Sequence, residues 1–136
     1  MNKNCIFCDI VDKKINSNII YENETVMGIL DIDPINEGHV LLITKKHYLD
    51  LDEIPEKEIA EIFNIAKKIV KALKITYPLN GYSIIQNGGD FNDIGHFHLH
   101  IFPRYHSDGF SWKYSKKDFK VSKEICDKIK FAFENI

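Results

Sequence analysis

His96-Phe97-His98-Leu99-His100-Ile101-Phe102-Pro103 alternates between imidazole and apolar side chains, and the alternation has the period of a β-strand. In an extended segment over His96–Pro103, Phe97, Leu99 and Ile101 share one face, and His96, His98 and His100 share the other. The apolar face needs a core to pack against. The opposite face carries a row of rings roughly 6.5–7 Å apart along the strand. Near neutral pH an uncharged imidazole is the side chain best able to act as base, nucleophile or metal ligand. Packing alone gives no reason to place three of them side by side, so the chemistry of the protein is expected here.

The flanking sequence supplies the partners of this strand. Ile19–Glu22 and Val26–Leu30 are β-prone runs about the polar turn Asn23-Glu24, a hairpin pattern. Asp31-Ile32-Asp33-Pro34 breaks regular structure, and Gly38 precedes a strand over His39–Thr44. Pro55 suits a first helical turn, and Ile59, Ile62, Phe63, Ala66, Ile69, Val70 and Leu73 then recur at helical spacing to about Ile75. Tyr82–Gln86 reads as a further strand. Ser122 is placed to cap a last helix whose Ile125, Ile129, Phe131, Ala132 and Phe133 offer apolar contacts. Cys5–Lys14 reads as a short helix or a turn-rich start. The order predicts an α+β fold: an antiparallel sheet with the long helix and the C-terminal helix on one face. The histidine row is expected on the face that those helices leave open.

The 136 residues suit one domain spanning 1–136, and 44% hydrophobic with 28% charged residues is ordinary for a soluble globular protein. A net charge of −2 gives no electrostatic reason to bind nucleic acid or an anionic membrane. No apolar run approaches the roughly 18 residues that span a bilayer. Met1-Asn2-Lys3-Asn4-Cys5 lacks the long apolar centre of a signal peptide, so a cytoplasmic location is expected. Three cysteines, an odd number, argue against a disulfide framework. Cys126 falls in the apolar pattern of the last helix as a small core residue. Cys5 and Cys8 form a Cys-x-x-Cys pair, which in a reducing compartment means metal or redox chemistry. No βαβ pattern follows it, so zinc is preferred to a thioredoxin-type motif. Two sulfurs do not complete a tetrahedron, and two further ligands must come from elsewhere.

Asn87-Gly88-Gly89-Asp90 leads into the histidine strand. Its backbone N–H groups can form an anion-binding nest beside a neutral imidazole. It reads equally as a plain hairpin turn.

Four stretches together resemble the histidine triad (HIT) family of nucleotide hydrolases and transferases. They are Cys5-Ile6-Phe7-Cys8, Leu30-Asp31-Ile32-Asp33-Pro34, Gly38-His39-Val40-Leu41-Leu42-Ile43-Thr44-Lys45-Lys46-His47, and His96 through Arg104. Their order and spacing agree as well, and the resemblance runs from about Cys5 to Arg104. It implies a compact α+β subunit, usually a homodimer with sheets joined across the two-fold axis. It implies that His98 is the nucleophile, attacking the α-phosphorus of a nucleotide to form a nucleotidyl-histidine that water then hydrolyses. His100 and His39 would stand near the phosphate, orienting it or stabilising charge. Asp31 would bind the ribose, and Phe7, Ile10, Ile29 and Ile32 would line the base pocket. Cys5, Cys8, His47 and His96 would hold a structural zinc in a closed tetrahedron, with no organic cofactor.

The chain departs from the family pattern between Asn87 and His96. There Asp90-Phe91-Asn92-Asp93-Ile94-Gly95 replaces the usual glycine-alanine-glycine-glutamine approach. Asn92 stands where glutamine is common and is expected, with the Asn87 loop, to meet the phosphate or bridging oxygen. A carboxylate facing a phosphate repels it, so Asp93 is expected to turn outward. The substrate class implied is a nucleoside 5′-phosphoramidate or a dinucleoside polyphosphate. Two other readings stay open: a metal-dependent hydrolase in which His96, His98 and His100 themselves bind a catalytic ion, and a nucleotide-binding regulatory protein with little turnover. Tyr105–Lys117, rich in aromatics, would shape the leaving-group side or a subunit interface.

Overall fold

Strands β1 (Ile19–Glu22), β2 (Val26–Leu30), β3 (Val40–Thr44), β4 (Gly81–Ile85) and β5 (His98–Arg104) form one antiparallel sheet in the order β1-β2-β3-β5-β4. The structure is a computed structural model and describes residues 4–136; residues 1–3 of the N-terminal stretch lie outside the described residues. The β1–β2 turn is closed by Asn23, whose Oδ1 accepts from the N–H groups of Thr25 (2.8 Å) and Val26 (2.9 Å). An asparagine side chain mimics a backbone turn in this way.

Helix α2 (Glu56–Thr76) follows directly after Pro55, with Glu56 and Glu58 in its first turn where the helix dipole favours negative charge. Ile62, Ile65, Ala66, Ile69, Val70 and Leu73 make its buried stripe. They pack on Val26, Val40, Leu42, Phe97, Leu99 and Ile101 from the sheet. Each of these side chains other than Ala66 contributes about 1.5–3 kcal/mol on burial. Phe63, on the flank of the stripe, is left 48% exposed.

The expected open face is half covered. Helix α1 (Ile6–Val11) lays Phe7, Cys8 and Ile10 against Met27, Ile29, Leu41 and Ile43. Its first turn is fastened by Cys5, whose Sγ accepts from the Cys8 N–H at 3.3 Å. His98 and His100 pair with Ile43 and Leu41 and share that face. The histidine strand starts two residues later than the alternation predicts. The Phe97 N–H donates to the Tyr48 carbonyl at 2.7 Å, so His96 is drawn toward the loop after β3.

Helix α3 (Lys123–Glu134) is capped as expected, the Ser122 hydroxyl accepting from the Ile125 N–H at 3.3 Å. The apolar burial expected of it is not seen among the described residues. None of its residues is buried, and Cys126 is exposed rather than a core residue. An amphipathic helix of this length is marginal without a packed face. No helix among the described residues is long and apolar enough to cross a membrane.

Candidate active site and metal centre

The three rings of the row part company once their second nitrogens are traced, with tautomers assigned from the hydrogen-bond network. His96 is fully buried, and its Nε2–H donates to the Thr44 carbonyl at 2.7 Å. Its Nδ1 lone pair therefore faces Cys5 Sγ (3.3 Å) and Cys8 Sγ (3.6 Å). His47 Nδ1 lies 3.2 Å from Cys8 Sγ. The four donor atoms all fall within 4.8 Å of one another. Two thiols and two imidazole nitrogens at these separations fit a tetrahedral zinc ion. The Thr44 carbonyl holds one ligand ring in the required tautomer, as outer partners of zinc-bound histidines do. Burial pushes the His96 ring down to about 4, keeping it in the neutral form that ligation needs.

His98 is turned the other way. Its Nδ1–H donates to the His96 carbonyl at 2.8 Å, leaving the Nε2 lone pair free of backbone partners. The Phe7 ring meets the His98 ring edge-on with centroids 5.1 Å apart, fixing its orientation. His39, also buried, accepts from the Ile35 N–H through Nδ1 at 3.0 Å. Its proton is therefore on Nε2, which lies 3.0 Å from His100 Nδ1 and 3.5 Å from Asp31 Oδ2. His100 in turn must carry its proton on Nε2. Burial first, then the neighbouring His98 and His39 rings, lowers the His100 pKa to about 4, against the opposing pull of Asp31 and Asp93. His39 is lowered too, chiefly by burial. With the His98 ring in its neutral form the site offers an Nε2 lone pair and, two residues on, one N–H donor.

Both rings open on a cavity of about 290 Å³ between α1, β2 and the segment before β5. Asp31, Phe7, Ile10, Ile29 and Ile32 line it, as the resemblance implies. Asn87 and Asn92 are not brought to it. Asn92 donates through Nδ2 to the Leu49 carbonyl (3.2 Å) and accepts through Oδ1 from Gly95 (3.0 Å), so its amide fastens its own loop. Asp93 does line the cavity, contrary to expectation, because that loop turns it inward one residue after Asn92. The lining holds two carboxylates, Asp31 and Asp93, and neither lysine nor arginine. Residues that sequence reasoning missed are Ile6, Leu30, Leu41, Ile94 and the run Ile15–Asn18. A wider groove of about 540 Å³ beside Arg104 contains none of the row, and its arginine is occupied by Asp108 at 2.6 Å.

The HIT domain family pattern matches residues 12–107. The chain is 38% identical to a HIT-like protein of Methanocaldococcus jannaschii over 93% of this chain and 98% of that one. It is 34% identical to the adenosine 5′-monophosphoramidase of Saccharomyces cerevisiae, covering 92% and 82%. Among solved structures it is similar to a HIT family protein from Bacillus anthracis, with a TM-score of 0.88, 32% identity and coverage of 99% and 98%. It also resembles a zinc-bound histidine triad family protein from Mycobacterium smegmatis, with a TM-score of 0.74, 34% identity and coverage of 83% and 84%.

Proposed function

This chain belongs to the HIT family, and on that premise we propose that it hydrolyses a nucleoside 5′-phosphoramidate or a dinucleoside polyphosphate at the α-phosphate, with His98 as nucleophile. The observation that carries the reading is the His98 Nδ1–H bond to the His96 carbonyl, which in the neutral ring puts the lone pair on Nε2, beside the cavity. In the first half-reaction the Nε2 lone pair bonds to phosphorus while the bond from phosphorus to the leaving amine or phosphate breaks. The His96 carbonyl stabilises the positive charge that grows on the ring. The Nε2–H of His100 is the donor available to a phosphoryl or leaving oxygen. A leaving amine takes up one proton from solvent as it departs; in the second half-reaction water attacks phosphorus and returns one proton to solvent, the N–P bond breaks, and nucleoside monophosphate leaves with the His98 ring neutral again.

A zinc ion held by Cys5, Cys8, His47 and His96 supplies structure and takes no part in either step. It ties the N-terminus to the residue whose carbonyl orients His98. Asp31 suits a ribose hydroxyl, and the apolar residues around Phe7 suit a base. The yeast relative's monophosphoramidase activity supports the phosphoramidate arm. The same reading takes residues 1–136 as one domain acting in the cytoplasm as a homodimer. The uncovered apolar residues of α3 support the dimer. The alternative with one catalytic ion shared by His96, His98 and His100 finds no support, because the donor clusters pair His96 with the cysteines and His100 with Asp31 and His39.

The test is mass spectrometry of protein quenched during turnover of adenosine 5′-phosphoramidate. A nucleotidyl adduct on His98, absent from the His98→Ala variant, is expected. Hydrolysis that persists in His98→Ala at the wild-type rate overturns the reading.

A further inference from the structure

The N–H donor on His100 depends on a chain of hydrogen bonds that begins outside the cavity. With both rings neutral, His100 holds its proton on Nε2 because its Nδ1 accepts from His39 Nε2–H at 3.0 Å. His39 holds its proton on Nε2 because its Nδ1 accepts from the Ile35 N–H, also at 3.0 Å. Asp31 does not make this choice. Its Oδ2 lies 3.5 Å from His39 Nε2 and 4.0 Å from His100 Nδ1, so a proton on either nitrogen faces the same carboxylate. The Ile35 N–H decides, because a peptide nitrogen only donates.

That N–H is aimed by the next residue. Residues 32–37 of the β2–β3 loop are all exposed except Asn36. The Asn36 side chain crosses to the end of β5, where Nδ2 donates to the Pro103 carbonyl (2.8 Å) and to Asp108 Oδ2 (3.1 Å). Both partners only accept, so the amide must present its NH2 group there. Asp108 is itself fixed as a carboxylate, by Arg104 Nε at 2.6 Å and by the N–H groups of Tyr105 and Phe110 at 3.1 Å each. The Asn36 carbonyl accepts from the His39 N–H at 3.1 Å, which joins the clamp to the residue that carries the ring. A further tie, from Glu37 to Tyr77, comes after Asn36 and leaves Ile35 to the clamp.

We propose that Asn36 is a positioning residue for the donor ring: its clamp on Pro103 and Asp108 holds the Ile35 N–H on His39 and so sets the proton of His100 on Nε2. The inference rests on the phosphoryl-transfer reading of the site and adds to it the group that fixes the donor. Without the clamp the Ile35 N–H leaves His39 Nδ1, and the pair can reverse. His39 then carries its proton on Nδ1, His100 donates Nδ1–H to His39 Nε2, and His100 Nε2 becomes a lone pair. A lone pair at that nitrogen repels a phosphoryl oxygen instead of donating to it.

Nitrogen-15 NMR of the histidine rings reads the proton positions directly in the free protein. The proteins compared are wild type, Asn36→Ala and Asn36→Asp, the last being the same size without the donor. In wild type, His39 and His100 are expected as Nε2–H tautomers. In both variants His100 is expected to become a mixture containing the Nδ1–H form, while His98 keeps Nδ1–H. The kcat/KM for adenosine 5′-phosphoramidate should fall about two- to tenfold, by the same factor as the His100 Nε2–H fraction, since only that fraction is competent. His100 that stays wholly Nε2–H in both variants overturns the role, whatever happens to the rate. So does a His98 signature that moves together with that of His100, or a pair of variants that do not fold, because Asn36 would then be holding the fold at large. Wild type with the expected tautomers but without turnover overturns the hydrolase reading and leaves the placement of the proton standing.

Discussion

His96 and His98 are two residues apart, both buried, and bonded to each other through one carbonyl, yet they serve opposite ends of the site. His96 gives Nε2–H to the Thr44 carbonyl and turns Nδ1 to the sulfurs; His98 gives Nδ1–H to the His96 carbonyl and turns Nε2 to the cavity. The side chains are identical, so what separates the proposed anchor from the proposed reagent is which nitrogen the backbone takes. The comparison also shows a link through the backbone: the carbonyl of His96 orients the His98 ring.

The sharpest way to break the comparison is to remove each ring in turn. His98→Ala should lower turnover of adenosine 5′-phosphoramidate by about six orders of magnitude, the scale for deleting a covalent nucleophile, with the melting temperature within a few degrees of wild type. Steady-state kinetics and calorimetry check both halves. A comparable loss of stability in His98→Ala would mean that both rings are anchors.

Removing the anchor should do the reverse. Metal analysis of the purified protein should find one zinc per chain. Cys8→Ala, or wild type treated with a strong chelator, should melt about 10 °C or more below the loaded protein, because the free energy of binding a structural zinc is free energy of folding. The activity remaining at low temperature should be reduced through a looser His98 rather than abolished. Unchanged melting on chelation would remove zinc from the account and leave the cysteines as packing.

The pH dependence of stability sharpens the contrast within the reactive half. The folded His100 ring titrates at about 4, against about 6.5 unfolded. Between those values the unfolded chain binds the proton that the folded ring refuses, so stability falls as pH drops through that window. One such group gives a slope of up to about 1.4 kcal/mol per pH unit. Urea titrations from pH 7 to pH 4 should show a shallower slope for His100→Gln than for wild type. Equal slopes would place the pH dependence elsewhere.

Much of this architecture was legible in the sequence, and the failures share a cause. The alternation around Leu99 gave the faces of β5, and helical spacing gave α2, because both are local periodicities. That β5 starts at His98 was not legible, since it depends on the Phe97 N–H finding Tyr48 from a distant loop. The inward turn of Asp93 and the withdrawal of Asn92 follow from the loop closing on Leu49. The clamp of Asn36 on Pro103 and Asp108 is a property of three-dimensional packing with no sequence signal at all. Resemblance to the family pointed to His39, to Asp31 and to the cluster of Cys5, Cys8, His47 and His96, which no spacing rule would have joined.

Asp93 marks the smallest expected effect and the finest distinction between the two proposed substrate classes. Its carboxylate and that of Asp31 face a cavity without a lysine or arginine, and Asp93 is exposed to solvent. An exposed charge 4–8 Å from a phosphate interacts by about 0.5–1 kcal/mol before salt screening. A dinucleoside polyphosphate carries further phosphates into that field; the phosphoramidate of an uncharged amine does not. Asp93→Asn should therefore raise kcat/KM for a dinucleoside tetraphosphate about two- to fivefold and change that for the phosphoramidate by less. The gain should shrink as sodium chloride is raised from 20 to 500 mM, because only a charge effect is screened. An equal gain for both substrates, insensitive to salt, would show that Asp93 acts through loop geometry instead, and the cavity's charge would then have no part in choosing the leaving group.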